Sequence, residues 1–362
     1  LYTLQKANEN IWKGNSGSVS YEEKGYAVLD SIVEDSSGIT AHQVATVGDK
    51  LVMVYLENDS SRSSVNGLRL MYSIYDIKGG TWSKPVQVDS NSTGDYAPQL
   101  CSDGENLYLI YQDTASVLDE NAELSDWTSA QNIAVSEFNA DTLKFEKPIL
   151  LTTDSDVYDS KPAVGTAGGK VYAVWNANND SDYFGANNTN RICASELTEN
   201  GWSEPRILAD NLGAVTEIET GEIGESLCVV YITDNDSDIT TSDDRTLDVI
   251  NTYDGQIYEL ASGNVDSAKF AQSADDTSKS LYWYEDGNLV KTDNLTYKSR
   301  VFSEAPETLS GNFEIVGNRI LWSGSDDGES SEIYESVYNS EDDSWSSAVK
   351  LTNQGEYIEN MK

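Results

Sequence analysis

Two short patterns alternate along this chain, and together they restrict what it can fold into. The first is an aromatic residue, then Ser or another polar residue, then often Pro, then alternating apolar positions. It reads Trp82-Ser83-Lys84-Pro85, Phe145-Glu146-Lys147-Pro148, Trp202-Ser203-Glu204-Pro205, Phe302-Ser303-Glu304-Ala305-Pro306 and Trp345-Ser346-Ser347-Ala348, with a weaker copy around Tyr258. The steps between consecutive anchors run from 43 residues (Phe302 to Trp345) to 63 (Trp82 to Phe145). The second pattern is a short strand, a Gly-containing turn, and an apolar run closed by Tyr or Trp. It occupies 42–55, 98–111, 162–175 and 218–231, with a looser copy from Phe270 to Tyr284 and a shortened one at 311–322. Gly48, Gly104, Gly168 and Gly224 each stand seven residues before the closing aromatic.

Both patterns have period two, the period of a strand with one face turned to each side. A Gly at a fixed register supplies the positive φ of a tight hairpin turn. Each unit therefore reads as four strands. One leads into the Gly turn and one ends at the aromatic. A third is a run such as 68–76 or 191–197, and the fourth carries the Trp-Ser-x-Pro signature. Pro cannot donate to a ladder, so the fourth strand belongs at an edge.

Four-stranded units of about 45 residues, repeated radially, define an all-β β-propeller of antiparallel blades. Six units fill residues 39 to 353, and 1–38 with 354–362 leave enough chain for one more. The expectation is a single domain over 1–362 with seven blades, the ring closed by the N-terminal segment and the C-terminal strand. Six blades with an N-terminal extension is the alternative. The chain begins at Leu1 and ends in YIENMK, so it reads as a piece excised from a longer multidomain protein.

Composition narrows the partners. Acidic residues number 62 and basic residues 23, for a net charge of −39. That balance opposes binding to nucleic acid or to an anionic membrane surface, both of which need a basic footprint. The longest apolar runs, 51–56 and 227–232, fall far short of the ~20 residues of a membrane-spanning helix. Cys101, Cys193 and Cys228 form no C-x-x-C pair, and each sits in or beside an apolar run, as small buried hydrophobes do.

The Trp-Ser-x-Pro strands and Gly-turn hairpins resemble the sialidase-like, Asp-box (BNR repeat) propellers of bacterial surface proteins. Around Trp82 the sequence keeps the Gly79, Thr81 and Trp82 of an Asp-box but holds Ile77 where Asp stands in that family; around Trp345 the Gly position holds Asp342. Sialidases of this family grip a carboxylate with three arginines and carry an arginine motif near the first blade. This chain lacks that motif, and none of its seven arginines falls on an expected innermost strand. The resemblance thus implies the propeller without that active site.

Several residues are candidates for a ligand site. His42, the single histidine, stands at the start of the first inner strand, where later units have Pro98 and Pro162; one histidine excludes any zinc site with two histidine ligands. Lys161, Glu217 and Glu314 fall on or beside inner strands, where a propeller lines its channel. Tyr96, Tyr158 and Tyr183 fall at the loop face. Asp234, Asp236 and Asp238 place carboxylates at alternate positions, a spacing suited to Ca2+, a hard cation that takes several oxygens.

The expected function is a monomeric, non-catalytic binding module of a bacterial cell-surface or secreted protein, recognising a glycan or a host or bacterial surface protein through its loop face. The alternatives are a glycoside hydrolase or lyase using channel carboxylates, and a structural spacer.

Overall fold

The structure, a computed structural model, describes residues 2–6, 26–31 and 42–352, except 155, 186, 224–225, 237, 273–278, 293–299, 302–312, 325–331, 340 and 343. Strand after strand pairs antiparallel with its chain neighbour, as short hairpin connections require. Near the N-terminus β1 (Tyr2–Lys6) pairs with β2 (Tyr26–Ser31). The first blade is β3 (Gln43–Val47), β4 (Lys50–Asn58), β5 (Leu68–Asp76), β6 (Thr81–Trp82) and β7 (Val86–Gln87). The second is β8 (Asp95–Ser102), β9 (Leu107–Thr114), β10 (Gln131–Asn139), β11 (Lys144–Phe145) and β12 (Ile149–Leu150), with helix α1 (Leu124–Thr128) between β9 and β10. The third is β13 (Tyr158–Ala167), β14 (Lys170–Asn178), β15 (Asn190–Thr198), β16 (Gly201–Trp202) and β17 (Arg206–Leu212). The fourth is β18 (Ala214–Ile223), β19 (Ser226–Asp234), β20 (Arg245–Asn251) and β21 (Ile257–Gly263). The fifth is β22 (Val265–Gln272), β23 (Lys279–Glu285), β24 (Asn288–Thr292) and β25 (Arg300–Val301). The sixth is β26 (Phe313–Val316), β27 (Arg319–Gly324), β28 (Glu332–Asn339), β29 (Ser344–Trp345) and β30 (Val349–Lys350).

Among the described residues the fold is thus a β-propeller of six blades, the alternative given above, in place of the seven expected. The seventh was to be assembled from both chain ends. The N-terminal stretch instead pairs with itself in β1–β2, an exchange between near neighbours in sequence that costs little loop-closure entropy. The C-terminal strand expected at 354–362, and the ring closure built on it, lie outside the described residues.

Innermost strands stand side by side in chain order: β3 beside β8, β8 beside β13, β13 beside β18, β18 beside β22, and β22 beside β26. Alternation on each strand explains the core. Leu107, Leu109 and Tyr111 of β9 face the first blade and pack on Val52, Val54 and Leu70. Tyr108 and Ile110, the intervening residues, face the third blade and pack on Val171, Ala173 and Trp175. The same rule seats Val229 and Tyr231 against the third blade, and Cys228, Val230 and Ile232 against the fifth. A propeller core is therefore a series of layers between sheets, and a second-position strand flanked by two blades, such as β9, β14 or β19, is buried on both faces.

The Trp-Ser-x-Pro signature marks an edge strand broken in two. In the first three blades Pro85, Pro148 and Pro205 fall between the halves, where the ladder is already interrupted. The Ser repairs the break. Ser83 Oγ accepts the Ile74 N–H at 3.0 Å, Ser203 Oγ that of Glu196 at 3.0 Å, and Ser346 Oγ that of Val337 at 3.0 Å. Three of the four register glycines do as expected: Gly48, Gly104 and Gly168 turn their hairpins at φ 55°, 98° and 56°, and Gly224 lies outside the described residues.

Candidate functional site

Four inner strands carry an irregularity near their start. Register slips between Tyr96 and Gln99 in β8, between Ser160 and Ala163 in β13, between Val215 and Glu217 in β18, and between Asp266 and Ala268 in β22. Three of these bulges put a non-glycine residue in the left-handed region: Ala97 at φ 47°, Lys161 at 50° and Ser267 at 47°. A bulge bends the strand and re-aims its side chains. Here it does so at the end where the strands enter the ring.

The channel wall below the bulges is charged. Glu217 is half-buried and Lys161, at the bulge itself, is exposed, yet both are surrounded by protein atoms, as residues lining a channel are. Burial pushes the Glu217 carboxyl up to about 7, helped by the charges of Glu219 and Asp266, against Lys269 and the Ala268 N–H. That N–H donates to Glu217 Oε1 at 3.2 Å. Burial pulls the Lys161 ammonium down, with Glu217 opposing. Burial also acts against the charge of Lys269, but Glu219, Glu217 and Glu314 outweigh it and hold its pKa well above the ordinary value. Lys269 Nζ donates to Glu219 Oε1 at 2.8 Å. Expected site residues Lys161, Glu217 and Glu314 are thus on the inner strands β13, β18 and β26, with Lys269 of the intervening β22 in the field of both glutamates. Lys269 and Glu219 were missed, because the bulges that aim them inward leave no mark in the strand period. His42 stands one residue ahead of β3. Among the described residues no arginine falls on an innermost strand.

At the rim the expected tyrosines converge on a residue that sequence reasoning passed over, Trp127 of α1. Its ring meets Tyr96 edge-on at 5.2 Å between centroids, Tyr158 at 5.7 Å and Tyr183 at 6.0 Å. Tyr158 and Tyr183 stack at 6.0 Å, and Phe184 meets Tyr183 edge-on at 5.3 Å. Tyr183 is 46% exposed and Phe184 53%, while Tyr158 is buried. The shelf is well braced. Glu123 and Asp126 close a capping box at the start of α1. Asn66, buried, donates to the Leu118 carbonyl at 2.8 Å and accepts its N–H at 2.9 Å, and Tyr96 Oη donates to the Val65 carbonyl at 3.0 Å. Trp127 was detectable: the second blade already has its edge aromatic in Phe145, so a further Trp followed by Thr128 and Ser129 is surplus to the repeat.

Asp234, Asp236 and Asp238 are only partly drawn together. Asp234 is buried 3.5 Å from Arg245 Nε, and burial followed by the neighbouring Asp236 raises its pKa. Asp236 Oδ1 accepts the Asp238 N–H at 2.7 Å, whereas Asp238 turns to the Thr240 N–H at 3.1 Å and hydroxyl at 2.5 Å. Among the described residues one group of three carboxylates has its ligand atoms all within 4.8 Å of one another: Asp89, Asp95 and Asp113.

Comparison with solved structures supports the fold. A prolyl endopeptidase matches with a TM-score of 0.53 and 12% identity, covering 92% of this chain and 46% of its own. A puromycin-hydrolysing peptidase of Mycobacterium tuberculosis matches with a TM-score of 0.53 and 14% identity, covering 87% and 47%. A Trypanosoma rangeli sialidase reaches a TM-score of 0.45 at 11% identity, covering 85% and 53%, and that likeness carries no argument. The chain spans about half the length of these proteins. At such identities the matches establish the propeller and nothing of the chemistry. No protein-family model matches the sequence. No curated protein matches it either.

Proposed function

We propose that this propeller is a binding module that takes a glycan across the aromatic shelf and into the channel mouth. The observation that carries the reading is the exposure of Tyr183 and Phe184 on a base of packed rings. Sugar rings offer apolar C–H faces that stack on aromatics, and their hydroxyls need polar partners close by. The shelf supplies the first, and Lys161 and Glu217 in the channel supply the second. Rings already ordered by Trp127 lose little freedom when a ligand arrives, which favours affinity. The proposed setting is the bacterial cell surface or exterior, where a net charge of −39 keeps a monomer soluble.

One observation favours a second reading. A carboxyl held to about 7 in a channel, as Glu217 is, can hold a proton at neutral pH, which is what a general acid of a glycoside hydrolase or lyase needs. A glycan array with the full chain, followed by product analysis on any hit, separates the two. The binding reading expects a defined hit, lost in Trp127→Ala with the fold intact, and no product. Products that vanish in Glu217→Gln transfer the site to catalysis. A blank array overturns the glycan reading and leaves a protein partner or a spacer role.

A further inference from the structure

We propose that Asp89, Asp95 and Asp113 form a binding site for a hard divalent cation of the calcium class at the junction of the first and second blades, independently of the glycan reading. Their ligand atoms lie within 4.8 Å of one another. Asp95 is 1% exposed; its Oδ2 accepts the Leu70 N–H at 2.8 Å, and its Oδ1 is buried without a hydrogen-bond partner. Asp89 repeats this: Oδ2 accepts the Tyr111 hydroxyl at 2.9 Å, and Oδ1 is buried and unpartnered. Asp113 is held by the Thr93 hydroxyl at 2.8 Å and by Asn91 Nδ2 at 2.9 Å. Among the described residues none of the three forms an ion pair with Lys or Arg; the nearby Arg62 is committed to Asp59 at 3.4 Å and the Thr93 carbonyl at 3.0 Å. Buried carboxylates that repel one another are stable only if protonated or if a cation joins them.

The next junction serves as an internal control. Val88 and Leu151 make the same backbone bond to the preceding blade, so Asp89 and Thr152, the residues after them, are equivalent. Asp95 lies opposite Asp113 across the hairpin, and Asp159 opposite Ala177. The second junction thus has Thr152, Asp159 and Ala177 where the first has three aspartates. Its single carboxylate is satisfied by Trp175 Nε1 at 3.1 Å. The first junction has two more carboxylates than that packing task uses. All three donors are oxygens, the ligands that hard cations take, and the run Asp89-Ser90-Asn91-Ser92-Thr93-Gly94-Asp95 sets further side-chain oxygens at alternate residues.

The test is calorimetric titration of CaCl2 into the chelator-treated full chain, with Tb3+ luminescence excited through Tyr111 as a site-specific reading. One saturable site is expected. It should weaken at least tenfold in Asp113→Asn and in Asp89→Asn, and survive in Asp236→Asn/Asp238→Asn. The wild-type melting temperature should rise with calcium. No saturable site, a melting temperature indifferent to calcium, or a site that persists in Asp89→Asn/Asp113→Asn would overturn the proposal. The wild-type melt keeps the test decisive if a variant fails to fold.

Discussion

Gly221 of β18 lies directly beneath the ring of Phe270 in β22. A methyl group at Gly221 would fall 2.2 Å from Phe270 Cγ and 2.5 Å from Cδ1, well inside van der Waals contact. The two inner strands approach this closely because one of them has no side chain there. Gly221→Ala should destabilise the protein by about 1–3 kcal/mol, the usual cost of overpacking. Urea unfolding measures it. Phe270→Leu in the same chain should recover part of the loss, and equal loss in single and double variants would mean that the contact is not the cause.

Ser203 sits where the broken edge strand of the third blade would leave a donor unpaired. Its hydroxyl accepts the Glu196 N–H at 3.0 Å, and its own carbonyl accepts the Ser195 hydroxyl at 2.7 Å. Ser203→Ala removes the first bond without altering the backbone. A loss of about 1–2 kcal/mol is expected, from an N–H left short of an acceptor at a half-buried site. The midpoint in urea should fall with the slope unchanged. A change below about 0.3 kcal/mol would show that water replaces the hydroxyl.

These two residues show what was legible in the sequence and what was not. The Ser and Pro of the edge strand, and the Gly seven residues before an aromatic, are local rules repeated several times, so repetition exposed them. Blade number was not local, because it depended on how the chain ends pair. The aspartate cluster escaped for a reason of register. Counting outward from the Gly104 hairpin, where Ser102 faces Leu107, an unbroken ladder would set Asp95 opposite Thr114. The bulge at Ala97 and Pro98 shifts the pairing by one residue and brings Asp113 opposite instead. A one-residue slip turns every side chain to the other face, so the cluster exists only because of an irregularity that strand periodicity cannot foresee. Tyr96, Tyr158 and Tyr183 are expected in loops, whereas Tyr96 and Tyr158 open the inner strands β8 and β13 and only Tyr183 lies in a loop; the ring that unites them, Trp127, comes from an insertion outside the repeat.

The pH dependence of stability should carry the mark of Glu217. Its folded pKa, about 7, lies above the ordinary value of 4.5, with burial the main cause. The folded state therefore binds more protons than the unfolded state between these values. Stability must fall as pH rises from about 4.5 to 7, and the loss is complete above 7. Glu217→Gln removes this component. The difference in unfolding free energy between variant and wild type should grow in the variant's favour across that window and then level off. A difference that stays constant from pH 4.5 to 8 would mean that Glu217 titrates normally.

Ala97 and Lys161 occupy the same bulge in neighbouring blades, both left-handed, and they separate fold from function. An L-residue in this region costs about 1–2 kcal/mol. Replacing Ala97 by Gly removes that cost, while the freer unfolded chain takes back roughly 0.5–1 kcal/mol. Ala97→Gly should therefore stabilise by about 0.5–1 kcal/mol, read from urea unfolding, and leave ligand binding unchanged. Lys161→Gly relieves the same backbone, at φ 50°, but deletes an ammonium from the channel mouth. It should match Ala97→Gly in stability and lose at least tenfold in affinity for any glycan the array identifies. Equal affinity in both variants would remove Lys161 from the site. A destabilised Ala97→Gly would show that the bulge is held by its side chain rather than tolerated in spite of it.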